Sequence, residues 1–547
     1  VAARGAISYR QRDGFFKDGG GNLGRKVGDE QSFQYRFTLG YVTDDLEIMA
    51  RARGGFVDND QRPFKQIGTT GPQPCPLRLN QICTDPTGFA DSNDPFETFL
   101  SFIGYEKGKA NGGDIQVKYN LSSSVGLYYS FAYDEASNNR FVDEDFSNNS
   151  LFSTTYDTKV NFSSHELRLQ SEGKGPFQWI LGAYHYRDSL DQWYGAAVPL
   201  LGVSLGVPAK QKTRTAAGFA NAEWKFAEKF SLRGGLRLTY DKRKGRSRSF
   251  LFDGTNLNLS PIPADLASML EVFELYPDNS LQKSWTKPSG EIALSFKPNS
   301  NWHFYGSYSI GFKGGDYNVG LFTINENVIV DPEYVHNAEL GVKARLLDGR
   351  LTGELSLFRM NIKDQQVSSI QSVGGIPSLV LSNAGRSRIE GIELNMEARV
   401  VDGLSLRGSL GLLDAKFTSY PNGPGGADLS GNRLVYAPKV TANAAIKYDL
   451  STAVGDFTAQ GSGRYTGKMF DQPSNNPFYA VKSYWTADAF VEFRPAGQPG
   501  LSAKLWVRNL TDEHYYSTFF SSGNLGYEAL GFADPRTFGI TLGYDFD

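Results

Sequence analysis

The chain has 547 residues, 60 of them glycine, with 28 Tyr and 38 Phe but only 2 Cys and 5 Met. Its 56 basic and 59 acidic residues nearly cancel, which excludes a strongly basic nucleic-acid binder. Two cysteines are too few for a disulfide scaffold, and an aromatic content of 13% excludes a disordered chain. Hydrophobic residues reach 40%, yet mean hydropathy is −0.38. A membrane helix needs about 20 consecutive apolar residues; the best stretch, 196–209, is too short and contains Pro199 and Pro208. By length alone three or four domains are expected. A glycine- and aromatic-rich chain that is polar on average fits a β-propeller, a β-solenoid or an outer-membrane barrel.

The chain opens on Val1 with no signal-peptide pattern behind it, so the sequence is expected to start internally, as a mature form, a processed form or a fragment. From residue 2 onward the dominant pattern is strict alternation, the mark of half-buried strands. In 31–42 one face carries Phe33, Tyr35, Phe37, Leu39 and Tyr41, and the other Gln34, Arg36, Thr38 and Gly40. Thr43, Asp44 and Asp45 make a tight turn into a strand with Leu46, Ile48, Ala50 and Ala52 on one face and Glu47, Arg51 and Arg53 on the other. The same grammar predicts hairpins over 114–133, 216–240, 291–312, 335–363, 389–413, 440–466 and 484–509, with 536–546 as the last strand. Asp348-Gly349 and Asp402-Gly403 supply hairpin-turn chemistry.

Connections alternate between two to about seven residues and long loops at 58–111, 135–159, 188–213, 249–286, 313–334, 364–388, 416–437, 467–482 and 511–535. Short turns at one end and long loops at the other are the layout of a transmembrane β-barrel, with periplasmic turns and extracellular loops. No period of about 40–50 residues argues for a propeller. The predicted fold is therefore all-β: an antiparallel transmembrane barrel of about 20 strands, the whole of 1–547 being barrel. Apolar faces are expected to meet lipid, with Tyr41, Trp302, Tyr484 and Trp506 as interfacial aromatics. The opposite faces, carrying Arg10, Arg12, Arg36, Arg51, Arg53, Lys118, Glu166, Arg168, Glu223, Lys225, Glu354, Glu393 and Glu397, are expected to line the lumen. Mixed charge suits a packed polar plug better than an open channel of one sign.

Several segments resemble TonB-dependent outer-membrane receptors. These are GFKGGDYN (311–318), DPEYVHNAELGVKARLLDGRL (331–351), NAGRSRIEGIELNMEARVVDGLSLRGSLGLLDAKFTSY (383–420), NRLVYAPKVTAN (432–443), VRNLTDEHYYS (507–517) and PRTFGITLGYDF (535–546). The resemblance runs over about 1–546 and is strongest after 285. It implies a 22-strand barrel, a preceding plug and coupling box, uptake of a scarce solute (an iron–siderophore complex first, a carbohydrate or cobalamin otherwise), and TonB with ExbB–ExbD as partners. Neither plug nor coupling box is recognisable here, and an isolated 20-strand sheet would leave two edges. The favoured expectation is that plug and first hairpin belong to a larger receptor; a plug on a separate chain, or a plugless pore, are the alternatives.

Candidate sites follow. Cys75 and Cys83 share one long loop and are expected to pair in an oxidising exterior, with a metal or free-thiol role as the alternative. The five histidines stand at no metal-ligand spacing, so no metal and no cofactor are expected. Loop aromatics Trp193, Tyr194, Phe312, Tyr317, Tyr479, Phe519 and Phe520 could receive a ligand or simply pack the loops. Lys242, Lys244, Arg246 and Arg248 continue the lipid-facing line Leu236, Leu238, Tyr240 upward, to the height of lipopolysaccharide phosphates, or else form a solvated rim. The acids Asp143, Glu144 and Asp145 read as a solvated charge run. No nucleophile elbow, P-loop or zinc signature is present, so an enzyme is not expected. The chain is expected in the outer membrane of a Gram-negative bacterium, as an active transport receptor. A passive diffusion pore, or a soluble secreted enzyme, are the competing readings, and no nucleic-acid partner is expected.

Overall fold

In the computed structural model, the alternating segments form one twenty-stranded antiparallel sheet in which sequence neighbours are spatial neighbours. The structure describes residues 1–69, 83–199, 202–253, 272–317, 329–373, 376–498, 500–522 and 525–546. The wall strands are β1 (Ala2–Arg12), β2 (Glu30–Val42), β3 (Leu46–Asp60), β4 (Tyr105–Ser122), β5 (Val125–Asp143), β6 (Ser153–Ser171) and β7 (Phe177–Val198). Then come β8 (Val203–Ala227), β9 (Phe230–Asp253), β10 (Val272–Asn299), β11 (Trp302–Lys313), β12 (Glu333–Leu346), β13 (Leu351–Lys363) and β14 (Arg386–Val401). The wall ends with β15 (Leu404–Ser419), β16 (Val440–Thr452), β17 (Gly455–Thr466), β18 (Tyr484–Pro495), β19 (Leu501–Arg508) and β20 (Thr537–Tyr544). No described helix is long and apolar enough to cross a membrane.

The turns obey local chemistry. Asp348 and Gly349 both adopt left-handed backbone, with φ of 54° and 82°, as a tight hairpin with the right-handed strand twist requires. Gly403 does the same at φ 79°, where a Cβ would also strike the Asp449 carbonyl.

Several strands run further than the alternation indicated. β8, β9 and β10 have 25, 24 and 28 residues, against the 9–11 that cross a membrane. The expected loop at 188–213 is mostly paired strand, because β7 ends at Val198 and β8 begins at Val203, in register as Val198↔Val203. Likewise Asp253 and Val272 bound the 249–286 connection. These strands stand well above the apolar band.

Packing is inverted relative to a soluble protein. Large apolar side chains on the wall are exposed outward: Leu236 by 74%, Leu542 by 72% and Phe538 by 80%. The buried apolar clusters lie instead in the loop layer at the long-loop end. Two expected interfacial aromatics turn out to face inward. Register pairs Trp506 with Gly539 and Phe490, beside the outward pairs Leu505↔Ile540 and Val491↔Leu505. Tyr484 stacks on Tyr515 at 3.8 Å, leaving Trp485, 59% exposed, on the outer face. One residue of offset in a strand exchanges its faces.

Among the described residues β1 pairs with β2 alone and β20 with β19 alone. Their outer ends are joined through Asp534, which accepts from Arg12 at 3.1 Å and from Arg62 at 2.8 Å.

The face assignment has a direct consequence. Leu236→Arg is expected to destabilise the folded barrel by roughly 2–4 kcal/mol, the cost of a cation on the lipid face near mid-bilayer, in a urea titration in liposomes. Thr352→Arg, on the inner face of β13, is expected to cost far less. Equal losses would contradict the assignment of faces.

Candidate functional site

Two layers converge toward the long-loop end: a charged inner wall and a packed roof. On the wall, alternation puts Arg51 and Arg53 of β3 on the same face as Asp114 of β4 and Asp134 of β5. Arg51 meets Asp114 at 2.9 Å, while Arg53 bridges Asp114 and Asp134 at 2.7 Å each. Arg10 and Arg12 both reach Glu30, Arg10 at 3.6 Å. Arg36 lies in register with Arg53 and is exposed, with no carboxylate in ion-pair range among the described residues. Glu397 pairs with Arg407 at 3.3 Å across β14 and β15, and Glu354 with Lys343 at 2.8 Å. These last groups border a concave stretch of wall of about 750 Å³ that also includes Arg464 and Asp488. Glu393 shares the inner face. Asp114 and Asp134 were not anticipated, although both sit at alternate positions opposite apolar Ile115 and Tyr133.

The roof is built on a three-stranded sheet of Lys65–Gly68, Tyr527–Phe532 and Tyr516–Ser522, whose first two strands are wholly buried. Lys65 is buried against Asp91, and also donates to the Glu97 carbonyl at 2.7 Å. The acids of 143–145, expected to be solvated, are buried at 0%, 7% and 1% exposure. The reason is backbone capping. Asp143 accepts from the Ser101 N–H at 2.7 Å and the Phe146 N–H at 3.1 Å. Asp145 accepts from the N–H groups of Leu151 and Phe152 at 2.9 Å each. Glu144 accepts from the Thr154 hydroxyl at 2.8 Å. Carboxylates satisfy turn donors that no strand can reach.

Burial has an electrostatic effect. It pushes the Asp145 carboxyl up to about 6, and Asp143 is raised well above the usual carboxylate range by burial and by the neighbouring Asp145 charge. Burial raises Glu144 as well. Asp91 is pushed up to about 6 by burial, against the pull of Lys65.

The aromatic candidates largely join this roof. Tyr194 is buried in a cluster with Phe152, Leu205 and Val207, against which Phe520 packs. Phe519 is buried, with Tyr479 edge-on at 6.0 Å, and Tyr479 donates to Glu528 at 2.8 Å. The Trp193 indole N–H is buried. Phe312 lies apart, in register with Tyr334. Tyr317 is buried against Gly245 of β9, where a Cβ would enter its ring, and its neighbour Asp316 meets Arg243 at 2.6 Å. Cys83 is buried and disulfide-bonded; Cys75 lies outside the described residues. No group of three potential metal ligands is found among the described residues. Lys242, Lys244, Arg246 and Arg248 line the outer face of β9.

Comparison with known proteins places this architecture. The family model described as TonB dependent receptor-like, beta-barrel matches residues 35–510. A probable TonB-dependent siderophore receptor of Acinetobacter baumannii is 24% identical over 42% of this chain and 31% of its own length. The ferripyoverdine receptor of Pseudomonas aeruginosa is 23% identical over 47% of this chain and 30% of its own. The matches thus span less than half the length of these curated relatives. Among solved structures, the ferric yersiniabactin uptake receptor of Yersinia pestis superposes with a TM-score of 0.78 at 16% identity, covering 100% of this chain and 76% of that one.

The raised carboxyls set a pH dependence. A group whose folded pKa exceeds its unfolded value favours the packed state below its ordinary pKa of about 4 and loses that contribution as pH rises through about 6. Amide-exchange protection of 144–152 and 527–532, corrected for intrinsic rates, is expected to be higher at pH 5 than at pH 8, and Asp145→Asn to flatten the difference. Protection that does not change with pH would contradict the burial argument.

Proposed function

Because the chain belongs to the TonB-dependent receptors through their β-barrel domain, we propose that it forms the wall and loops of an outer-membrane importer for an iron–siderophore complex. A carbohydrate or cobalamin would use the same architecture, but the curated relatives, a siderophore receptor and a ferripyoverdine receptor, support the iron chelate first. The family is one of transport receptors, not enzymes.

The observation that carries this reading is the pairing of a mixed-sign inner wall with a packed outer roof. The Arg51–Asp114–Arg53–Asp134 chain balances its own charge, so the wall exerts no strong selectivity for ions of one sign. It offers instead paired polar groups that a protein plug can dock against. The roof joins segments 61–69, 83–104, 144–152 and 525–536 into one packed unit, the kind of preformed surface on which a scarce solute is captured. Its half-buried aromatic side chains, Tyr479 and Phe520 among them, are proposed to contact the ligand. Energy is supplied by TonB with ExbB–ExbD acting through a plug inside the wall. The edges β1 and β20 run in opposite directions, the orientation that an antiparallel wall needs at its seam.

The test is growth. In a Gram-negative host stripped of its own iron importers, the full receptor gene is expected to restore growth on a ferric siderophore only when TonB is intact. Growth without TonB, together with large constitutive currents in planar bilayers, would overturn the reading in favour of a passive pore.

A further inference from the structure

Histidines that stand at no ligand spacing in the linear sequence are brought together by the ladder. His165 of β6 and His185 of β7 are directly opposite in register. Their ring centroids are 6.1 Å apart. His165 is also opposite Phe131 of β5, ring to ring at 4.8 Å. Parity puts all three on the outer face, because the row continues through Ala216 of β8 to Tyr240 of β9. Tyr240 is the topmost aromatic of the outward line Leu236, Leu238, Tyr240. One outward position higher, the row reads Arg187, Arg214 and Lys242. The imidazole pair thus sits where the apolar face ends and the outward side chains turn cationic, at the interfacial level that water reaches.

The geometry suits a shared ion. With about 2.1 Å from metal to nitrogen, two imidazoles on one ion have ring centroids roughly 5–6.5 Å apart. The observed separation falls in that range, so side-chain rotation is enough to aim both rings at one point. His165 is already held for such a role. The Tyr129 hydroxyl oxygen lies 3.0 Å from its Nδ1. With Nδ1–H donating to that oxygen, Nε2 keeps the lone pair that a metal needs. A ligating imidazole is characteristically fixed by such a bond from its other nitrogen. His185 is exposed on the same face.

A second histidine on the outer wall serves as a comparison. His336 of β12 has the same bond, 3.0 Å from the Tyr308 hydroxyl to Nδ1. It stands opposite Ile310 and Asn361, so it faces no second imidazole. A tyrosine–histidine bond therefore recurs on the outer wall, whereas the shared geometry is particular to β6 and β7.

The ligand type selects the ion. Imidazole nitrogen suits copper(II), zinc(II) and nickel(II), copper(II) binding tightest. Calcium and magnesium need several oxygen ligands, and neither histidine has a carboxylate in ion-pair range among the described residues. Arg187, two residues above His185 and about 7 Å away along the strand, opposes a cation and keeps the affinity modest.

We propose that His165 and His185 form a cross-strand site for a first-row divalent transition ion, copper(II) or zinc(II), with water completing the coordination. The ion clips β6 to β7 at the level where both strands leave the hydrocarbon, and Tyr129 orients the His165 ring.

The experiment uses the full receptor, reconstituted in phosphatidylcholine vesicles and titrated with copper(II), with electron paramagnetic resonance as the readout. Wild type is expected to show a copper signal split by two imidazole nitrogens. His165→Gln and His185→Gln are each expected to lose that pattern and to weaken binding by about tenfold or more, at unchanged sheet content. Tyr129→Phe is expected to keep the pattern at lower affinity. His336→Gln is expected to bind as wild type does. In wild type, zinc(II) is expected to displace the signal and calcium(II) to leave it unchanged. A two-nitrogen signal that survives His185→Gln would overturn the proposal, and so would equal affinities in His185→Gln and His336→Gln.

Discussion

In hydrocarbon, every backbone N–H and C=O must find a partner within the protein, because no water is present to supply one. That requirement organises the whole molecule. It explains why sequential strands pair in order and why ladders such as β8–β9 and β9–β10 run almost unbroken from turn to loop. It also explains why the outward faces are apolar without being buried in protein. Once each strand is committed to two neighbours, its side chains can only alternate between lipid and lumen, and chemistry is sorted by parity. Leu236, Leu238 and Tyr240 go to lipid, and Arg237 and Thr239 go inward, where Arg237 donates to the Thr239 hydroxyl at 3.1 Å.

Above the membrane the requirement relaxes, and the loops solve it differently. Water is available to exposed groups there, but the roof excludes it from its centre, so side chains take over as partners. Asp143 and Asp145 each cap N–H groups of the turn that follows them. Tyr527 reaches from the last loop to the Glu144 carbonyl at 3.0 Å. The result is a conventional buried core placed outside the membrane, with Phe146 stacked on Phe64 at 5.0 Å and edge-on to Phe520 at 6.3 Å. Wall and roof thus use the same accounting of hydrogen bonds with different partners, and the collar of outward cations marks the level at which one regime gives way to the other.

Much of this was legible in the amino-acid order, because alternation is a local property. Runs such as Phe538, Ile540, Leu542 reveal both the strand and its lipid face, and Asp348-Gly349 reveals the turn. What was not legible depends on pairing across long separations. The length of β8 and β9 above the band is sustained by ladder partners, not by local composition. Asp134 acquires its meaning only when Arg53, 81 residues earlier, is brought to 2.7 Å. The inward placement of Tyr484 and Trp506 follows from the register of β18, which a long preceding loop leaves undetermined in the sequence, and from that of β19, which pairs with it across the turn at 496–500. The acidic run at 143–145 looks solvated until the turn donors it caps are known. The TonB-dependent receptor motifs, by contrast, were readable because they combine turn chemistry and strand patterning in a fixed order.

The central claim is that parity assigns every wall side chain to lipid or to lumen. Its most direct test is single-cysteine scanning of 236–241 in the reconstituted receptor, with a nitroxide at each site and collision rates measured against a lipid-soluble and a water-soluble relaxant. The account predicts strict alternation: 236, 238 and 240 accessible from lipid, and 237, 239 and 241 shielded from it. Uniform accessibility, or a period near 3.6 residues, would contradict it.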